Sequence, residues 1–307
     1  MKKRSNLKIL LKILLSLAFV IYLAFSVDVE VLKSIQPHVD ALLIAEIILV
    51  LFLSLFVRAF RWWLLMNSNQ PGLNVGLGTS FKLLFIGNFL NLFVPAGSGD
   101  IIKSYWGYKI TGQKERMFAV SLYDKIIGIA SVSMLAVFAF YLYGNSIYLL
   151  AALVSLGPWA VLLLLFLGRE TAFIRGRLDW VDNLQSKFSF KSLVGHLNFK
   201  GRDVLTSFVI SVIGWVLTYL LLFLILSVVI ENVRLQETLS SGSLLTLGRL
   251  FPFTLNGIGS DEFIMVEVFK QFNYNETFVF AGSLLYRIAI SIIPALIGFV
   301  IVQGVKS

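Results

Sequence analysis

The chain contains no cysteine, which excludes disulfide staples and thiolate metal centres outright. Two histidines, His38 and His196, are too few for an imidazole-built metal centre, so no metal site is expected. Charge is scarce as well: 14% of the 307 residues are Asp, Glu, Lys or Arg, where a soluble chain carries about 25%. A water-soluble fold of this size would lack the polar side chains to cover its surface. Carboxylates are scarcest, 17 against 26 Lys and Arg, for a net charge of +9. No nucleotide loop is present, because Gly97, Ser98, Gly99 and Asp100 lack both the Lys-Ser/Thr ending and a preceding strand. Neither a cofactor nor a nucleic-acid partner is expected.

What the chain does have is apolar length, with 58% hydrophobic residues. Crossing the hydrocarbon takes about 20 mostly apolar residues. Six stretches meet that length, at residues 7–25, 41–65, 117–143, 148–167, 207–230 and 278–302. The first follows Lys2, Lys3 and Arg4 and resembles a secretory signal, but Ala24, Phe25 and Ser26 make a poor cleavage site, so an uncleaved span is expected. The Lys and Arg positions orient the spans. Lys2, Lys3, Arg4, Lys8 and Lys12 put the N-terminus in the cytoplasm, and six crossings return the C-terminus there. The expected location is the cell membrane. Arg58, Arg61, Trp62 and Trp63 read as an interfacial anchor closing the second span, and Glu46 as an outer-interface residue. The basic connection 169–204 contains amphipathic pieces such as 173–184, expected to lie on the cytoplasmic surface.

Two shorter apolar stretches are interrupted by Gly and Pro. One runs over 80–94, breaks at Pro95, Ala96, Gly97, Ser98, Gly99 and Asp100, and resumes as the amphipathic 101–110. The other runs over 239–251, breaks between Pro252 and Asp261 around Gly257 and Gly259, and resumes over 262–272. Each reads as helix, break, helix: a re-entrant hairpin, the first opening to the cytoplasm and the second outward. The expected fold is therefore an all-α integral membrane protein of about six spans plus two Gly/Pro-broken hairpins in an inverted repeat. It forms a single polytopic domain, 1–307, with halves at 1–143, including re-entrant 80–110, and 205–307, including re-entrant 239–272. Short interrupted segments in matching positions of two halves point to a transporter's midplane site. Irregular backbone at that depth must be buried in protein or line a wet cavity.

Charges inside spans are the candidate functional groups, since each is costly in hydrocarbon unless paired or hydrated. Asp124 and Arg287 occupy matching places in the spans that follow the two hairpins, and the expectation is that they meet. Lys125 points about 100° away from Asp124 on a helix. The second arm of each hairpin offers a helix N-terminus that favours anions, with Ser98 or Ser260 as expected caps and Lys103 and Arg249 as nearby cations. Snorkelling to the cytoplasmic face is the competing reading for Lys103. The candidate substrate-binding or gating set is Pro95, Gly97, Gly99, Asp100, Lys103, Asp124, Arg249, Gly257, Gly259, Glu262 and Arg287.

Three parts of the chain together carry a family resemblance. They are the run from Asn91 to Asp100 (Asn-Leu-Phe-Val-Pro-Ala-Gly-Ser-Gly-Asp), the pair Tyr123 and Asp124 with Lys125, and the Gly257 to Glu262 turn followed by Tyr286 and Arg287. The chain resembles the family of the lysylphosphatidylglycerol synthase transmembrane region, which includes the flippase-like membrane half of MprF-type proteins. The resemblance implies a helical membrane protein that moves or modifies polar lipids. It implies that Asp100, Asp124, Glu262 and Arg287 fill family positions in the usual way. Lys103 and Lys125 stand where Arg is more usual, and Asp261 where Arg is frequent. Arg to Lys forfeits bidentate phosphate recognition.

The leading expectation is a lipid flippase or translocase acting on a membrane phospholipid or a polyprenyl-linked lipid. The alternatives are a membrane-embedded transferase using Asp100, Asp124 and Glu262, or an accessory subunit of a lipid- or glycan-modifying enzyme. In the resembling synthases lysyl transfer belongs to a soluble C-terminal domain, so aminoacylation by these 307 residues is not expected. The absence of cysteine makes the topology directly testable. A Gly257→Cys variant is expected to react with an impermeant maleimide from the outer face of intact cells. Labelling from the cytoplasmic face alone would overturn the outward-opening second hairpin.

Overall fold

The computed structural model describes residues 28–35, 39–68, 75–92, 99–144, 201–248 and 257–306, with isolated positions at 17, 21, 22, 37, 148, 153, 156, 157, 159, 160 and 254; side chains at 99–101, 305 and 306 are excepted. The expected spans at 7–25 and 148–167, nearly all of the 169–204 connection, and Pro95, Gly97, Ser98 and Arg249 lie outside this description. Ten α-helices are described: α1 (Val29–Ser34), α2 (Ala41–Asn67), α3 (Leu77–Asn91), α4 (Gly99–Thr111), α5 (Lys114–Tyr143), α6 (Gly201–Leu226), α7 (Leu235–Gly248), α8 (Ser260–Lys270), α9 (Glu276–Arg287) and α10 (Ile293–Lys306). There is no strand among the described residues. The protein is an all-α membrane protein.

Local chemistry sets the helix ends. Asp40 caps α2, its Oδ1 accepting from Leu43 N–H at 2.7 Å, and Asn275 caps α9 in the same way through Thr277 N–H. Gly144 ends α5 in the left-handed region at φ 62°, its N–H closing on the Phe140 carbonyl. Between α9 and α10 a π-helical turn, Ile288–Ile292, keeps the helix running, and Ile293 N–H reaches back to the Ile288 carbonyl. Pro294 accounts for it: a proline lacks an N–H and crowds the carbonyl four residues back, so the chain widens by one residue there.

Four helices are long and apolar enough to cross a bilayer: α2, α5, α6 and the continuous α9–π–α10 helix from Glu276 to Gly304. Within the most apolar window of each, half of the residues of α5 and α6 are buried, against 17% for α2 and 28% for the last span. The centre of the bundle is therefore α5 and α6. The outer faces of α2 and α10, with Leu42, Ile48, Phe52, Leu296 and Val300, are exposed and suited to lipid.

Helices in lipid gain nothing from hiding one apolar face in another, so close packing at small residues holds them together. Gly214 of α6 lies against Val57 of α2, and Gly242 of α7 lies under the Tyr219 ring of α6. Gly298 of α10 lets α3 approach so closely that an added Cβ would sit 2.0 Å from the Phe85 carbonyl oxygen.

The helix contacts repeat. α2 packs against α3 as α6 does against α7; α3 meets α4 as α7 meets α8; α4 meets α5 as α8 meets α9; and α2 meets α5 as α6 meets α9. Across the halves, α3 packs on α10, which belongs to the span after the second broken helix, and α7 packs on α5, the span after the first. Exchanging α2 with α6, α3 with α7, α4 with α8 and α5 with α9–α10 carries this pattern onto itself. The contact between α5 and α6 falls outside the exchange, and the first of the two charge clusters described below lies beside it. Beyond the exchange, Tyr274 ties the α8–α9 turn to the start of α7, donating to Glu237 and accepting from Arg234 N–H at 3.0 Å. Burial and the hydrogen bond to Glu237 push the Tyr274 phenol up to about 12.

Gly298→Ala is expected to lower the thermal unfolding midpoint in detergent by an amount equivalent to about 1–3 kcal/mol, the usual cost of overpacking. Gly78→Ala, with nothing within 4 Å of the new methyl, is expected to leave the midpoint unchanged. Equal midpoints for both variants would mean that α3 and α10 are not in tight contact.

Candidate functional site

The first cluster is assembled from both halves. α2 brings Arg61, α4 brings Lys103, α5 brings Asp124 and α6 brings Ser211. Arg61 Nε donates to Asp124 Oδ1 at 2.8 Å, and Arg61 Nη1 donates to the Ser211 hydroxyl. Lys103 Nζ lies 3.7 Å from Asp124 Oδ2 and 4.4 Å from the centre of the Trp62 ring. All three charged side chains are nearly buried, Arg61 at 12%, Lys103 at 8% and Asp124 at 11% exposure. Gly128, one turn beyond Asp124, leaves room for the guanidinium: both Nη atoms lie 3.9 Å from where a Cβ would stand. Trp215 of α6 fastens the same turn, its indole N–H donating to the Gly128 carbonyl at 3.2 Å.

Two expectations are corrected here. Arg61 and Trp62 are not an interfacial anchor, because α2 continues to Asn67 and turns them inward; Trp62 is 2% exposed. Lys103 does not snorkel outward but sits inside, between a carboxylate and an aromatic face that both attract a cation. Trp63 is also tied internally, donating to the Val75 carbonyl at 2.8 Å. Glu46 is exposed near the start of α2, as an interfacial residue would be.

The second cluster is a clasp on the second break. Gly257 at φ 73° and Gly259 at φ 81° adopt the left-handed conformation that glycine tolerates without strain. At Gly257 a Cβ would in addition lie 2.4 Å from the Asp261 carboxylate. Arg287, the last residue of α9, donates through Nε to Glu262 and through Nη2 to the Gly257 carbonyl at 2.8 Å and Asp261 Oδ2 at 3.3 Å. Glu262 also turns back to accept from Gly259 N–H at 2.8 Å. One arginine thus closes the turn from three directions.

This geometry revises two further expectations. Asp124 and Arg287 do not pair: Asp124 takes Arg61 and Lys103, and Arg287 takes Glu262, Asp261 and a backbone carbonyl. Ser260 is not the cap of α8 but its first residue; Gly259 is the cap, and the Ser260 hydroxyl faces Thr254 at 2.7 Å. The N-terminus of α8 meets the protein's own Glu262 carboxylate instead. Gly99 and Asp100 open α4, as the sequence places them.

Sequence reasoning passed over Arg61 as a site residue, and with it Ser211 and Trp215. A face pattern would have found it, because Ser54, Arg58, Arg61 and Leu65 recur at helical spacing on α2. Between α2 and α6 an open cleft is lined by Val57, Arg58, Arg61, Ile210, Ser211, Gly214, Trp215 and Thr218.

Fold and site together define a multi-pass membrane protein with charge clusters enclosed by its helices. The chain belongs to the family of the lysylphosphatidylglycerol synthase TM region, whose sequence profile matches residues 9–298. It is similar to a UPF0104 membrane protein of Methanocaldococcus jannaschii, with 22% identity over 99% of this chain and 95% of that relative. Family membership is consistent with a function tied to membrane lipid.

Removing one member of a buried ion pair leaves the other uncompensated, at a cost of about 3–5 kcal/mol. Asp124→Asn is expected to lower the unfolding midpoint by an amount in that range, whereas Glu46→Gln at an exposed position leaves it unchanged. An Asp124→Asn protein as stable as the parent would show that the cluster contributes nothing to the fold.

Proposed function

We propose that the protein is a membrane lipid translocase that moves an anionic or lipid-linked head group past its two hairpins, which form an inverted repeat. The observation that carries this reading is the asymmetry between the two charge clusters. The second hairpin is clasped by Arg287 through two carboxylates and a backbone carbonyl. On the first, the charge contact between the second arm α4 and α5 is looser, Lys103 Nζ lying 3.7 Å from Asp124 Oδ2, beyond direct hydrogen-bond length, while Ser104 of α4 donates to the Ser121 hydroxyl of α5.

An anionic head group competes with Asp124 for Lys103, so substrate entry loosens the charge contact between α4 and α5. The second hairpin serves as the fixed wall. Lys103 and Asp124 are the latch of the first hairpin. Gly257, Gly259, Glu262 and Arg287 hold the second break. With both termini in the plasma-membrane cytoplasm, the first hairpin opens inward and the second outward. The energy comes from gradients or from a partner enzyme.

A transferase reading needs Asp124 and Glu262 to converge on one substrate. Each is instead engaged by its own arginine, which favours transport over group transfer. The test is reconstitution in vesicles carrying head-group-labelled phospholipids. Wild-type protein is expected to move label across the bilayer, and Asp124→Asn to slow it at least about tenfold, the equivalent of 1.4 kcal/mol. Protein-containing vesicles indistinguishable from empty ones over a broad panel of anionic and lipid-linked head groups would sink the idea, and formation of a new lipid without movement would replace it with the transferase.

A further inference from the structure

We infer that the cleft between α2 and α6 is a binding site for a single phosphate group. This deepens the translocation reading and rests on it only for the source of the phosphate. Two cations, Arg58 and Arg61, line the cleft, and no carboxylate does. Arg61 spends Nε on Asp124 and Nη1 on Ser211. Its Nη2 has no hydrogen-bond partner among the described residues. Ser211 receives a hydrogen bond on its oxygen from Arg61, and a hydroxyl that accepts one bond still has its own proton to donate. The polar groups presented are thus donors carrying positive charge, and their complement is an anion made of acceptor oxygens.

The remaining lining selects further. The indole N–H of Trp215 is held by the Gly128 carbonyl and the Thr218 hydroxyl by the Gly214 carbonyl, so both side chains are fixed as walls. Gly214 keeps the floor open, with the Val57 methyl 3.2 Å from where a Cβ would stand. Val209 and Ile213 beside it on α6 are about half exposed, at 48% each. A lipid phosphate therefore reaches the donors sideways while its acyl chains stay in the bilayer. Arginine supplies the recognition here, which reconciles the site with lysine at position 103.

The test uses the full chain in a non-ionic detergent and isothermal titration with dihexanoyl phosphatidic acid, with dihexanoylglycerol as the same molecule lacking phosphate, and with inorganic phosphate as competitor. The phosphate-bearing lipid is expected to bind and dihexanoylglycerol not to. Arg58→Gln and Ser211→Ala, which leave the Arg61–Asp124 pair in place, are each expected to weaken binding about tenfold, the equivalent of one charge-assisted hydrogen bond. Their thermal midpoints report that they fold. Competition by inorganic phosphate supports recognition of the anion by itself, and retention of the lipid against it supports the lipid phosphate as the source. Equal binding of dihexanoylglycerol, or unchanged affinity in both folded variants, overturns the site, and lipid movement that persists in that case leaves the translocation reading intact. Phosphate-dependent binding that is lost in the variants, in a protein that moves no lipid, keeps the site and removes the translocation reading.

Discussion

The contact on which the first half of the bundle depends is the one between Arg61 and Asp124. Hydrocarbon offers no hydrogen bonds, so a charge inside the bundle must find its partner in the protein. Arg61 meets that demand by joining three helices at once: α2 through its own backbone, α5 through Asp124 and α6 through Ser211. Its rigid fork makes this possible, since a lysine ammonium has neither the reach in one plane nor the fixed directions. Gly128 and Trp215 then become intelligible, one making room for the fork and the other tying the same turn to α6.

A second arginine solves a different problem with the same chemistry. The turn from Gly257 to Glu262 carries two left-handed glycines and two acidic residues, an arrangement with little to hold it in place by itself. Arg287 supplies what is missing, a donor for the buried Gly257 carbonyl and a counter-charge for Asp261 and Glu262. Asp261, which stands where the family often has arginine, is thus absorbed as part of the clasp. The two halves share a contact pattern but differ in charge: cations outnumber the carboxylate around Arg61, and carboxylates outnumber the cation around Arg287. Related packing thus carries opposite local charge in the two halves.

Much of this was legible beforehand. The four spans over α2, α5, α6 and α9–α10 and the turn at Gly257 and Gly259 followed from apolar run length and from Gly and Pro spacing, and the family from the motifs around Asp100, Asp124, Glu262 and Arg287. These are local properties, and a bilayer enforces them residue by residue. Legibility failed where a side chain had two environments that look alike in one dimension. Arg61 and Trp62 near the end of an apolar run fit an interfacial anchor as well as an internal ion pair, and only the rotation of α2 toward α5 and α6 separates the two. The pairing of Asp124 with Arg287 was inferred from matching positions in the two halves, but each charge found a nearer partner within the reach of its own hairpin.

The amino-acid sequence by itself determined that this is an all-α membrane protein of the lysylphosphatidylglycerol synthase TM region family. Composition and hydrophobic run length leave no soluble alternative, and Gly/Pro spacing marks the breaks. Tertiary structure alone decided which charges share a site. Ion pairs act over a few ångströms, and the residues that come within that distance, Arg61 with Asp124 and Ser211, are 63 and 150 positions apart along the chain. No periodicity connects such distant positions, whereas helix packing at Gly128 and Gly214 does.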